Sequence, residues 1–356
     1  MAALHQFVRT LEPSAVGNHL LQLQRLAEEE LGVTSTVFAE AVHPSLAGRA
    51  RPYADYGAAV PAAADDVVVY HHAVGAAVAD FVAARPQALV LDHHNVTPPG
   101  WNAGWEPDAA YECAWGVRQL RHLAPRAALG VGDSAWNEAE LAAAGCRRTA
   151  VAPILVDLAP FAALAGDGEP DGPAEWLFVG RVAPNKCQHD VVRAFAAYRR
   201  LYDPGARLAL VGGAASARYR EAVAVHARAL GVADAVALTG PVSHDELVAR
   251  YRAASVFVCL SEHEGYCVPL VEAMAAGVPV VAYASTAVPE TLAGAGVVLD
   301  AKEPLRVAAA VAVVLGDDVL RRSLRKAGSA RAAELDLAPT RARWARVLAA
   351  HGLAGG

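Results

Sequence analysis

Lysine is nearly absent from this chain. Lys186, Lys302 and Lys326 are the only three, and arginine supplies the rest of the 31 basic residues. Acids outnumber bases, 37 to 31, for a net charge of -6. That balance gives no electropositive footprint, so no nucleic-acid partner is expected. Cysteine is scarce and scattered, at Cys113, Cys146, Cys187, Cys259 and Cys267, with no C-x-x-C pair. Free thiols in a reducing, cytoplasmic setting are the expectation. The first residues lack a basic stretch followed by a long apolar core, so no secretory leader is expected. No run of 18 apolar residues escapes a charge or a breaker, which argues against stable membrane insertion. No D-x-D occurs anywhere. A Mg²⁺- or Mn²⁺-bridged diphosphate would lack its usual carboxylates, and no metal or other cofactor is expected.

What is present is apolar: 54% of 356 residues, with aromatics at only 6%. The length suggests two domains. Short β-branched runs alternate with helical patterns along most of the chain, which predicts an α/β fold of doubly wound parallel sheets. The first domain is read at 1–158, with strands from Leu4, Thr34, Asp66, Gln87 and Ala127 and a helix over about 18–31. Residues 44–61, rich in Pro, Gly and Tyr, read as loop. A breaker-rich, acidic stretch at 159–174 reads as a linker. Alternation restarts over 175–335, and 336–356 reads as a C-terminal helix that could pack back toward the first domain. Two Rossmann-like domains of this kind are expected to face a central cleft at the carboxyl ends of both sheets.

One stretch organises the second domain, Ser261-Glu262-His263-Glu264-Gly265-Tyr266-Cys267-Val268-Pro269 and onward to Met274. An apolar strand precedes it and a helix follows. Pro269 suits the first helical position and should push Val268 out of helical geometry. Free N–H groups at a helix start, with the positive end of its dipole, make an anion site. Glu264 falls in the loop, and Glu272 is expected in the first helical turn. A carboxylate on each side of an anion site suits a phosphate centre with two hydroxyl-rich ends, as in a nucleoside diphosphate sugar. Two solvated surface glutamates remain the plain alternative. Upstream, Gly180-Arg181 and Lys186 place two cations at a strand end, where they can converge on one diphosphate. Solvated loop charges are the alternative there. His71-His72 and His93-His94 are adjacent pairs, and neighbours on an extended chain point to opposite faces, so neither pair suits one metal ion. Trp101, Trp105, Tyr111 and Trp115 could stack on an acceptor or simply pack.

Gly180-Arg181…Lys186, Gly212-Gly213 and Glu264…Glu272 together resemble the donor half of a family 4 retaining glycosyltransferase with the GT-B fold. Leu91-Asp92-His93-His94-Asn95-Val96-Thr97-Pro98 and Ala15-Val16-Gly17-Asn18 fit that family's N-terminal domain. The resemblance implies that Arg181 and Lys186 hold the donor diphosphate, with Gly180 and Gly212 also donor-binding. It implies that Glu264 takes the donor sugar's hydroxyls, helped by Gly265, Tyr266 and Cys267. Val268 and Leu270 would present backbone donors to the phosphates, and Glu272 would take the ribose. Gly17 would allow close approach of donor or acceptor. His94 would stand beside the reacting centre, with Asn18, His71 and Asn95 on the acceptor side. Cys267 departs from the small or glycine residue often found at its position.

The implied activity is metal-independent, retaining transfer of a sugar from a nucleotide-sugar donor to an acceptor hydroxyl, with His94, Arg181, Lys186 and Glu264 catalytic. A nucleotide-sugar epimerase on the same architecture, or a non-catalytic nucleotide-sugar binder, are the alternatives. Glu28-Glu29-Glu30 would repel an anionic bilayer, which favours a soluble small-molecule or glycan acceptor.

Overall fold

The computed structural model describes residues 3–165 and 172–353. Residues 166–171 of the stretch read as a linker lie outside the described residues, as do 1–2 and 354–356 of the segments read as domain ends. The chain divides into two compact units. Met1–Ala103, Pro107–Val156 and Leu335–Gly356 form one, and Gly104–Glu106 with Asp157–Glu334 form the other.

The first unit is built on seven strands: β1 (Leu4–Leu11), β2 (Val37–Val42), β3 (Arg51–Pro52), β4 (Val67–His72), β5 (Ala88–His93), β6 (Leu129–Gly132) and β7 (Thr149–Val151). Their order is β3-β2-β1-β4-β5-β6-β7, and every pairing is parallel. Parallel neighbours need crossover connections, and helices on both faces bury the strands from either side. That is why β4 reads Val67-Val68-Val69-Tyr70 without polar alternation, and all four are buried. Sequence reading missed β3, inside the segment read as loop, and β7. β3 is two exposed residues on the sheet edge, where Pro52 is tolerated because an edge need not donate.

The second unit has β8 (Glu175–Val179), β9 (Arg207–Val211), β10 (Val236–Gly240), β11 (Val256–Cys259), β12 (Val280–Tyr283) and β13 (Val297–Leu299), ordered β10-β9-β8-β11-β12-β13 and again all parallel. In each sheet the strand order reverses beside the first strand, between β1 and β4 and between β8 and β11. Ligand crevices in doubly wound sheets open at such a reversal, at the carboxyl ends of the strands.

The first helix covers Ala15–Glu29, three residues earlier than the pattern suggested, because Ser14 caps it by accepting from the Gly17 N–H. The last helix, Leu337–Ala350, belongs to the first unit. Trp344 is fully buried there, its indole Nε1 donates to the Pro153 carbonyl at 2.9 Å, and its ring stands 5.2 Å from His19. Arg341 from the same helix reaches Glu29 at 2.8 Å and Glu30 at 2.7 Å. Arg341 offsets one of the three negative charges of the Glu28-Glu29-Glu30 run, which stays acidic. All five cysteines are free and buried. Among the described residues no helix is long and apolar enough to cross a membrane.

Trp344→Ala would remove a fully buried ring and leave the Pro153 carbonyl without its donor. Large-to-small changes of this kind cost about 3–5 kcal/mol. Urea unfolding followed by circular dichroism should show a loss of that size, and a loss below about 1 kcal/mol would take this helix out of the core.

Candidate functional site

In the second unit three loops leave the carboxyl ends of β8, β11 and β12 and are bound to one another. Asn185 ties the first to the second: its carbonyl accepts from the Glu262 N–H at 2.9 Å, and its side chain donates to the His263 carbonyl at 3.2 Å. Hydroxyls from the third loop and from the helix Val288–Leu292 that follows it do the same. Ser285 donates to the Ser261 carbonyl at 2.6 Å and Thr291 to the Tyr266 carbonyl at 2.6 Å. Thr286 accepts from the Glu264 N–H at 2.9 Å and donates to the Glu264 carbonyl at 2.7 Å. Lys302 completes the frame, bonded to Asp190 at 2.8 Å and to Glu262. Asn185, Ser285, Thr286 and Thr291 were not singled out from the sequence, because a polar residue in a loop gives no signal of its partner.

These loops place the sequence candidates unevenly. Glu264 is buried and receives the Lys186 ammonium at 2.6 Å. Burial would lower the Lys186 pKa, but the Glu264 carboxylate raises it overall. The surface-glutamate alternative thus fails for Glu264. Arg181 is exposed, its guanidinium makes no ion pair among the described residues, and it does not converge with Lys186 on a shared partner here. Gly180 and Gly212 lie at the ends of β8 and β9 with φ of +153° and +138°. A Cβ on Gly212 would stand 2.3 Å from the Gly180 carbonyl oxygen, so these glycines are demanded first by the approach of the two strand ends.

The helix following this loop differs from expectation in four ways. It covers Val268–Ala275, so Val268 is helical and Pro269 takes the second position. Left-handed Cys267, at φ 69°, makes the turn that Pro269 was expected to force. The Leu270 N–H donates to the Cys267 carbonyl at 3.0 Å, so it is not free for a phosphate, and the Leu270 side chain is core. Glu272 is in the second turn, not the first, and accepts from the Tyr251 hydroxyl at 2.7 Å. Burial pushes its pKa up to about 7, against the lowering effect of that hydrogen bond. Gly265 is half-buried, while Tyr266 and Cys267 are buried.

The first unit gathers a different set at the carboxyl ends of β4, β5 and β6. Asp92 Oδ2 is met by His19 Nε2 at 2.9 Å, His71 Nδ1 at 3.0 Å and His94 Nε2 at 3.3 Å. His94 Nδ1 lies 2.9 Å from Asp133 Oδ2. His71 also contacts His94 at 3.0 Å and Gln6 at 2.9 Å. Burial acts to lower the His94 pKa, yet Asp133 and Asp92 overcome it and hold His94 well above its ordinary value. Burial takes His71 the other way, down to about 4. His71 is only 2% exposed and both its nitrogens are engaged, so it stands behind His94 and not on an acceptor-facing surface. Asn95 is likewise committed, donating to Asn137 at 2.9 Å. Asn18 is exposed on its helix. A Cβ on Gly17 would stand 2.0 Å from the Glu12 carbonyl oxygen, so the loop's own fold requires this glycine. Tyr111 is exposed and tilts against Trp115, and Trp105 stands edge-on to Tyr219 in the second unit.

His19, Asp92 and Asp133 were missed, although alternation along β5 does put Asp92 and His94 on one side. His72 and His93 turn away, to the Gly116 carbonyl and to Glu140. Three histidines around one carboxylate look metal-competent, but the hydrogen bonds do not fit an ion. The Leu155 N–H donates to His19 Nδ1 at 2.9 Å, so the neutral ring carries its proton on Nε2 and donates it to Asp92. That nitrogen has no lone pair to offer a metal. The cluster is a hydrogen-bonded network that orients His94.

Thr286→Val keeps the shape of the staple and removes both of its hydrogen bonds to Glu264. The loss should be about 1–3 kcal/mol, the range for buried groups left unpaired. Hydrogen exchange at the Glu264 amide should speed up accordingly. Unchanged exchange would mean that Thr286 does not hold the loop.

With this geometry in view, comparison with known proteins is informative. Residues 164–331 match the family model of glycosyl transferases group 1. A GDP-mannose-dependent alpha-(1-6)-phosphatidylinositol monomannoside mannosyltransferase of Mycobacterium tuberculosis is 40% identical over 148 residues, covering 39% of this chain and 37% of the relative. A D-inositol 3-phosphate glycosyltransferase of Geodermatophilus obscurus is 35% identical over 232 residues, covering 61% and 50%. The chain thus spans half or less of the length of either relative. Among solved structures, sucrose-phosphate synthase from Thermosynechococcus elongatus superposes with a TM-score of 0.76 at 16% identity, over 98% of both chains. HepE of Anabaena, solved with UDP and glucose, gives 0.73 at 18% identity, over 98% of this chain and 100% of that one. The chain therefore has the GT-B fold, and its residues 164–331 match the family model of the group 1 glycosyl transferases.

Proposed function

We propose that the protein moves a sugar from a nucleoside diphosphate sugar to an acceptor hydroxyl, with retention at the anomeric carbon and without a metal ion. One observation carries this reading: half-buried Lys186 paired with buried Glu264 at the carboxyl ends of β8 and β11, with Glu272 farther along the adjoining helix. Lys186 can exchange Glu264 for the donor diphosphate, which frees the carboxylate for the sugar hydroxyls. Exposed Arg181 is available as the second cation. In a water-poor site, charges fixed in place before the reaction stabilise the departing diphosphate more than they could in solution. The leaving oxygen can take the acceptor proton, so no side-chain nucleophile is assigned. His94 is kept protonated by Asp133 and Asp92, and both of its N–H groups are committed to those carboxylates. The names of the relatives support a mannose-type donor and an inositol-containing acceptor. A panel of nucleotide sugars tested by thermal shift, then by transfer assay, examines the reading directly.

The two glutamates separate by role. Glu272 is assigned to the ribose, where its contacts are alike in ground and transition states. Glu272→Ala should weaken free nucleotide binding by about 1.5–3 kcal/mol, the loss for hydrogen bonds to a charged group. Glu264→Gln should lower kcat while barely changing affinity for the sugar-free nucleotide. If Glu264→Gln lost nucleotide binding as severely as Glu272→Ala and kept its kcat, the sugar would be misplaced. The Glu272 pKa adds a pH signature. Its folded value of about 7 lies above its unfolded value, so the folded state holds the proton longer. Its favourable contribution to stability is full below the unfolded pKa and is lost as pH rises through about 7. Nucleotide affinity should rise over the same interval as the carboxylate ionises. Wild type and Glu272→Gln melted from pH 5 to 8 should diverge in that direction, and parallel curves would contradict it.

The absence of D-x-D and the cations at the diphosphate corner make transfer independent of a bridging ion. Turnover should survive excess EDTA. Complete loss in chelator, restored by Mn²⁺, would overturn that part.

A further inference from the structure

Two thiols and one carboxylate meet inside the second unit. The Sγ atoms of Cys259 and Cys267 and a carboxylate oxygen of Glu264 all lie within 4.8 Å of one another, and all three residues are buried. Cys259 ends β11, and Cys267 occupies the left-handed residue that starts the next helix. The Cys259 thiol faces the Ser261 hydroxyl at 3.4 Å. The staples from Asn185, Ser285 and Thr286 hold the intervening loop, so the three groups are kept together by the surrounding chain.

From this geometry we propose that Cys259, Glu264 and Cys267 form a binding site for a thiophilic divalent cation such as Zn²⁺. Two thiolates select a soft or borderline ion over Mg²⁺ or Ca²⁺. In a tetrahedral zinc site, ligand atoms stand about 3.3–3.8 Å apart, so small side-chain rotations bring these three atoms to that spacing. Binding replaces two S–H bonds by two metal–sulfur bonds, and the two protons pass to solvent. Glu264 exchanges the Lys186 ammonium for the ion, and a fourth position stays open for water. A second trio, Cys187, His189 and Asp190, offers only one thiol, and its Asp190 is held by Lys302 and Arg193. On the proposed function, which this step alone relies on, the ion takes the carboxylate assigned to the donor sugar, so metal and nucleotide sugar exclude each other. The site is inhibitory and has no part in turnover.

The test titrates Cd²⁺ into the full chain and follows the thiolate-to-metal ultraviolet absorption. Wild type and Cys187→Ser should saturate at one equivalent. Cys259→Ser and Cys267→Ser should each bind at least tenfold more weakly and lose much of the band. Glu264→Gln, which leaves both thiols in place, should keep the band with reduced affinity. Melting without metal confirms that each variant is folded, and Cd²⁺ should raise the melting temperature of wild type but not of the serine variants. No thiolate band in wild type would overturn the site. So would a band that survives both serine substitutions or disappears in Cys187→Ser. Saturating nucleotide sugar should weaken Cd²⁺ binding at least tenfold. If Cd²⁺ uses these ligands and donor has no effect, the metal site stands and the donor assignment falls.

Discussion

The second unit turns on one ammonium held against one buried carboxylate. Removing both Lys186 and Glu264 from water is costly, and their attraction offsets that cost only when the geometry is fixed. The surrounding hydrogen bonds supply the fixing. Asn185 locks the Lys186 turn to the Glu264 loop, and Thr286 grips Glu264 by both of its backbone groups. A pair held this way is poised for exchange. On the proposed function, an incoming diphosphate would offer the ammonium a stronger anion and release the carboxylate to hydroxyl donors.

The first unit solves the opposite problem. It keeps a cationic imidazole where burial alone would neutralise it. The contrast between His71 and His94 shows which force wins. Both are buried and both face Asp92, but only His94 has a second carboxylate, Asp133, 2.9 Å from its other nitrogen. One shared carboxylate does not repay desolvation, and His71 falls to about 4. Two carboxylates do, and His94 rises. His19 is fixed by the Leu155 backbone and lies against Trp344, so the last helix supports a network built at the carboxyl ends of β4, β5 and β6.

Legibility in the sequence follows the range of the interaction. Strands of the second unit read correctly at Glu175–Val179, Arg207–Val211 and Val297–Leu299 because each is a short, mostly apolar run in a parallel sheet. The two-residue edge strand β3 carries no such signal. Glu264 and Lys186 stood out separately, one by its place before a helix and the other by the rarity of lysine. That they bond to each other, 78 residues apart, was not written in either local pattern. Glu272 was placed a turn too early because Pro269 seemed to mark the helix start, whereas a left-handed cysteine does. The staples from Asn185, Ser285, Thr286 and Thr291 were invisible for the same reason as the ion pair: their partners are distant in sequence.

Backbone strain shows how much of this chain is arranged around the strand ends. Five non-glycine residues have positive φ among the described residues: Asn95, Cys187, Cys267, Thr286 and Ala293. The first four lie in loops that leave the carboxyl ends of β5, β8, β11 and β12. A side chain in that conformation costs on the order of 1–3 kcal/mol and persists only where the surroundings overdetermine it. Here they do, since Asn95 is tied to Asn137 and Thr286 is held at both of its bonds to Glu264. Glycine would remove the strain at any of the four, but it would also remove the group that does the tying. The sequence therefore tolerates strain in the loops that leave the carboxyl ends of the strands and keeps glycine, as at Gly212, where two backbones must touch.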